Sequence, residues 1–298
     1  MDVYVYGMTV LSTIHQLRDR YPAADTYQEI QKTVVMPGGE GANAAVVLSN
    51  LGLSTVLDCC YLGQETAVPL RSYLQEKQVD CSLLVEIEDF AGWKDIVLCD
   101  GVSRTVFGWF NACFSSERQL WAAPDETAVQ NAHCVALDPF FGAESVETAA
   151  LCRKHGTPYV TIDCPWDSPV AQSARALVVS REFLTQKYPG EDPERLLAQY
   201  RKCCNGLVIF TFGSEKILYG EPGMERPLSF QPYVVDVVDT LAAGDTFRAG
   251  VVYGLVQKMS AADIVRFAAA TAAVSCTRFP SVHEPPALAE ILELMQAR

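Results

Sequence analysis

Short runs of Val, Ile and Leu recur along the chain, separated by stretches whose apolar residues return every three or four positions. A run without polar alternation suits a strand buried on both faces, and the three-or-four spacing suits a helix with one face on a core. The pattern predicts strands at 2–7, 55–60, 133–138, 158–163, 176–180 and 206–211. It predicts helices at 42–51, 65–77, 144–155, 192–203, 246–257 and 261–276, with Leu51-Gly52 as a helix stop. Alternation of this kind implies a mostly parallel sheet covered on both faces, an α/β doubly wound architecture. Residues 83–110 break the rhythm: Ile96–Cys99 and Thr105–Phe110 flank the turn dipeptide Asp100-Gly101, as in an inserted hairpin that either covers a pocket at the strand ends or is an extra edge hairpin without a role.

Length and composition narrow the class. At 298 residues, without a repeat or low-complexity linker, the chain is expected to form one large domain. With 49% apolar and 20% charged residues it is globular. The net charge of −13 opposes binding to nucleic acid or an anionic membrane face and favours a small-molecule partner. No apolar run reaches the roughly 18 residues of a membrane span, and the opening MDVYVYGMTV lacks a leader pattern, so the expected location is the cytoplasm. The 11 cysteines, an odd number placed mostly in apolar runs, read as buried thiols, and the four dispersed histidines make no zinc helix.

Two glycine-rich segments carry the candidate chemistry. The first, Gly38-Gly39-Glu40-Gly41-Ala42-Asn43, runs into an apolar helix, so its amides suit oxygen-rich ligands and Asn43 suits sugar hydroxyls. The same stretch matches a dinucleotide fingerprint, Gly39-x-Gly41-x-x-Ala44 with Asp58 as the ribose acid, and it also suits an ordinary strand-to-helix turn. The second, Asp239-Thr240-Leu241-Ala242-Ala243-Gly244-Asp245-Thr246-Phe247, opens a helix with small residues whose exposed amides can stabilise a transferred phosphoryl group. Asp245 beside that turn can take a hydroxyl proton or simply complement a helix start.

Together, in this order and roughly 200 residues apart, the segments resemble both signatures of the PfkB, or ribokinase-like, carbohydrate kinases. The resemblance spans the whole chain and implies a three-layer α/β/α sandwich with a small β lid, here within 8–35 and 83–110. It implies ATP-dependent phosphorylation of a sugar hydroxyl, with Asp245 as base and the Ala242, Ala243 and Gly244 amides as anion hole. Ser12, Gly38, Gly39, Gly41, Asn43 and Asp138 would meet the substrate, and Ser180, Thr211, Gly213, Ser214 and Gly244 the nucleotide. Mg²⁺ would be held largely through ATP oxygens and water. Asp239 is a candidate for a monovalent-cation or structural role, and a homodimer through the lid is the family expectation.

Departures from the family pattern are visible. Ser12 stands where many members carry an aspartate gripping two hydroxyls, and Glu40 replaces a basic residue found in some. The magnesium-linked Asn-x-x-Glu motif reads Ser180-Arg181-Glu182-Phe183, and Glu215-Lys216 follows Ser214 where a glycine is expected. The glycine of potassium-activated members is not evident in Arg278-Phe279-Pro280-Ser281. The competing readings are a nucleoside kinase, a non-catalytic sugar- or nucleotide-binding relative, and a nicotinamide-dependent oxidoreductase using Gly39–Ala44 and Asp58. Trp93, Phe107, Trp109 and Phe110 are candidates to cover an apolar sugar face or to form the hairpin's own core.

Overall fold

A computed structural model describes residues 1–297. The chain opens with β1 (Val3–Gly7), β2 (Val10–Leu17), β3 (Ile30–Gly38), α1 (Glu40–Asn50), β4 (Thr55–Cys59) and α2 (Ala67–Glu76). It continues through β5 (Lys94–Cys99), β6 (Arg104–Gly108), α3 (Phe110–Phe114), α4 (Glu126–Asn131), β7 (Cys134–Leu137) and α5 (Ala143–His155). Next come β8 (Tyr159–Ile162), α6 (Pro169–Ser173), β9 (Ala176–Ser180), α7 (Arg181–Lys187), α8 (Pro193–Cys203) and β10 (Leu207–Thr211). The remaining elements are β11 (Ile217–Gly220), β12 (Leu228–Phe230), α9 (Ala243–Val256), α10 (Ala261–Ser275) and α11 (Leu288–Gln296).

Eight strands form the central sheet in the order β12-β11-β10-β9-β8-β7-β1-β4. The six strands from β4 to β10 across this sheet pair in parallel, and β11 and β12 close one edge antiparallel. Period-two alternation divides the core. Val3, Val5, Ala136 and Ile209 join α1, α9 and α10 in one apolar cluster. Tyr4, Tyr6, Val135 and Phe210 join α5 and α8 in the other. Burial on both faces is why these strands read as unbroken apolar runs. The predicted strands and long helices all form, and Leu51-Gly52 does end α1, with the Gly52 amide turning back to Ser49.

A second, four-stranded sheet has the order β3-β2-β5-β6. It consists of two antiparallel hairpins, β2-β3 and β5-β6, joined through a parallel β2-β5 pairing. The 83–110 insertion thus contributes only half of the lid, and the first half leaves β1 after the short link Met8-Thr9. Met8 is tied down by both ends of its peptide: its amide donates to Asp138 and its carbonyl accepts from Ala42. The lid aromatics do not form one surface. Trp93 is buried and donates to the Leu120 carbonyl, whereas Phe107 and Trp109 are exposed. All 11 cysteines are free thiols, ten of them buried. Among the described residues no helix is long and apolar enough to cross a membrane.

Candidate active site

The two glycine-rich segments meet. α1 and α9 lie in the same apolar layer, and their first turns face each other where Asn43 Nδ2 donates to Asp245 Oδ2 at 2.8 Å. Gly39 caps α1 at φ 88°. Gly41 lies so close to Gly7 that an added Cβ would stand 2.6 Å from the Gly7 carbonyl carbon. The glycine at 41 is therefore set by the approach of the α1 start to the end of β1, whatever its amide does for a ligand.

Ala242 caps α9 in the left-handed region at φ 58°. Among the described residues the amides of Ala242, Gly244 and Asp245 have no protein acceptor, while that of Ala243 makes a 3.3 Å bond to the Thr240 carbonyl. Gly244 is exposed, so this cluster of donors opens outward beside the Asp245 carboxylate. Burial raises the Asp245 pKa, against the opposing pull of Arg248 and the Asn43 hydrogen bond. Glu40 is raised too, by burial first and then by the charges of Asp245 and Asp138.

Two expected site residues are committed to the scaffold. Asp138 is fully buried, its Oδ1 paired with Arg248 and its Oδ2 taken by the Met8 amide at 2.7 Å. As placed it anchors the lid root to α9, each of its oxygens already holding one protein partner. Asp239 accepts from the Leu241 amide at 2.9 Å and the Ser281 amide at 3.2 Å, which pins the turn before α9. Asp58 is likewise occupied, accepting from Tyr4 Oη and the Cys59 amide. The Gly39 segment follows the lid strand β3 rather than a central strand, so the dinucleotide fingerprint loses both its acid and its setting.

At the other end of the site, Ser180 and Thr211 are register partners at the C-terminal ends of β9 and β10. Gly213 follows at φ 65°, and Ser214 is exposed. Ser180 donates to Asp163 at 3.0 Å and caps α7 through the Phe183 amide. Asp163, half-buried and itself at positive φ, lies at the end of β8 and escaped the sequence reading. Burial raises its pKa, and the nearby charge of Glu182 adds to the rise. Arg248 also escaped; a fully buried arginine in an otherwise apolar helix face is the signal that could have found it. Ser12 is buried in the lid, its hydroxyl against Gly38.

An open α/β sheet with donors and a carboxylate gathered beyond its strand ends has the layout of a small-molecule site suited to an anionic ligand. The model of the pfkB family carbohydrate kinases matches residues 2–286, and the chain belongs to that family. It is 22% identical to a ribokinase of Haemophilus influenzae over 270 residues, 87% of each chain. It is 24% identical to a nucleoside kinase of Methanothermobacter thermautotrophicus over 284 residues, 91% of this chain and 88% of that one. Among solved structures, Arabidopsis thaliana ribokinase complexed with ribose and ATP superposes with a TM-score of 0.81 at 20% identity, covering 99% of this chain and 98% of that one. An Escherichia coli structure in complex with ATP and Mg²⁺ gives 0.81 at 16% identity, covering 100% and 99%.

Proposed function

We propose that the protein transfers the γ-phosphoryl group of ATP to a hydroxyl of a small sugar. The observation that carries this reading is the 2.8 Å bond between Asn43 and Asp245, which unites two segments about 200 residues apart beside outward-facing amides. In the proposed step the acceptor hydroxyl gives its proton to Asp245, and the freed oxygen lone pair attacks the γ-phosphorus in line. The bond to the bridging oxygen breaks and ADP leaves. Amides of Ala242 and Gly244, with Ala243 once its long bond to Thr240 loosens, receive the charge developing on the phosphoryl oxygens. Asn43 holds Asp245 in place while presenting its carbonyl to the acceptor, with Gly38, Gly39 and Gly41 shaping that side. The Ser180, Thr211, Gly213 and Ser214 edge is the proposed nucleotide side.

Magnesium fits this site in one form. No group of three His, Cys, Asp or Glu residues able to cage a metal occurs among the described residues, whereas Asp163 and Glu182 supply carboxylate oxygens at the nucleotide end. A hard cation carried by phosphate oxygens and water, with these acids beyond it, suits that donor set and would neutralise phosphate charge. A nucleoside acceptor is the second reading, supported by the Methanothermobacter relative. ADP release measured across a panel of sugars and nucleosides with ATP and Mg²⁺ tests both. Turnover with a sugar supports the first reading, with nucleosides alone the second, and with none leaves a binding protein.

A further inference from the structure

The lid holds a carboxylate that the scaffold does not satisfy. Asp95 lies on β5 directly across from Ser12 on β2. It is only 7% exposed, and its Oδ1 has no hydrogen-bond partner among the described residues. Among the described residues no cation pairs with it: the adjacent Lys94 pairs with Glu65 instead, and the β6 residue in register with Asp95 is Gly108. Burial pushes its pKa up to about 6, with a hydrogen bond from Ser12 the one opposing influence. A buried oxygen left without a donor is costly and normally marks a missing partner.

The surroundings identify that partner. Asp95, Val97 and Cys99 share the buried face of β5, and Val97 and Cys99 join the apolar cluster that also holds residues of α1 and α9. Cys99, four residues along on that face, is close enough to Asp239 for their charges to interact. The Ser12 hydroxyl beside Asp95 abuts Gly38, the residue that leads into the segment carrying Asn43. The free Oδ1 and the Ser12 hydroxyl thus form a two-point receptor beside Gly38, at the entry to the segment carrying Asn43, made of one acceptor and one group able to donate and accept.

We propose that Asp95 is a specificity-determining residue that binds the phosphoryl acceptor through two adjacent hydroxyl groups, one donating to Asp95 Oδ1 and the other exchanging a hydrogen bond with Ser12 Oγ. It rests on the kinase reading above and narrows the acceptor to compounds carrying a vicinal diol away from the reacting hydroxyl. The carboxylate missing at Ser12 is on this view supplied from the neighbouring strand.

The test measures turnover and calorimetric binding for a panel of sugars, nucleosides and their monodeoxy analogues. It compares wild type, Asp95→Ala, Asp95→Asn and the exchange variant Ser12→Asp/Asp95→Ser. Wild type is expected to lose about tenfold or more in affinity for an acceptor lacking either hydroxyl. Asp95→Ala should weaken the intact diol by about tenfold and abolish that discrimination, leaving ATP affinity within about twofold. The exchange variant should recover part of the loss, which a merely structural carboxylate would not allow. Asp95→Asn, close in shape, gives the same readout if the alanine variant melts early. Unchanged acceptor affinity and unchanged discrimination in a folded Asp95 variant overturn the assignment while turnover keeps the kinase reading. Diol binding that depends on Asp95 without any turnover does the reverse. A wild type that neither binds nor phosphorylates any diol overturns both.

Discussion

At Asp245, burial and charge pull in opposite directions. Burial favours the neutral acid, while Arg248 and the Asn43 amide favour the carboxylate that a base requires. The net shift is upward, so the acid limb of kcat/KM is expected above the ordinary aspartate range. Asn43→Ala removes a donor to the charged form, and the limb should move further toward neutral pH in a pH-rate profile. Asp245→Asn keeps the shape and abolishes the proton acceptor: kcat should fall by about 10²–10⁴-fold, with ATP and acceptor still bound in calorimetry. Raised acids also set the pH dependence of stability. A carboxyl whose folded pKa exceeds its unfolded value supports the fold below the unfolded value and loses that support as pH rises through the folded one. For Asp95 that window runs from about 4 to about 6, so Asp95→Asn should gain melting temperature relative to wild type between pH 4.5 and pH 7.5, as read by thermal unfolding.

Among the elements, legibility followed burial. β1, β4 and β7 to β10 announced themselves because both faces are covered, which leaves no polar alternation to blur the run. β3 did not, because Ile30–Val34 is largely exposed and mixes Gln, Lys and Thr with apolar residues. The short helices α3 and α6, five residues each, offer too few turns for a period to show. The site divides along the same line. Gly38–Asn43 and Asp239–Phe247 were visible as local spacing, whereas Asp95, Asp163 and Arg248 acquire meaning only from partners far along the chain. Two junctions between elements are open to direct measurement. Gly41→Ala drives a methyl into the end of β1 and should cost about 1–3 kcal/mol in chemical denaturation. Asp138→Ala strands a buried guanidinium and should cost about 3–5 kcal/mol, the larger effect of the two.

For the molecule as a whole, the lid has two unlike faces. One carries Ser12, Asp95 and Cys99 toward the site; the other carries Val35, Ile96 and Phe107, with Val35 and Phe107 about half exposed. An apolar sheet face of that kind is expected to be covered by a second copy of the chain. Sedimentation should show a dimer, and Phe107→Asp should shift it to monomer.

The Asn43–Asp245 bond joins a helix made early in synthesis to one made near its end. On the ribosome, every strand of the large sheet has already been polymerised when residue 245 emerges, so a nascent chain cut short at 240 would hold all the strands yet lack α9 and α10, most of one helical layer, and with them the proposed proton acceptor. Acquisition of chemistry is thereby deferred to the final fifth of translation, and premature termination products should be inert rather than partly active.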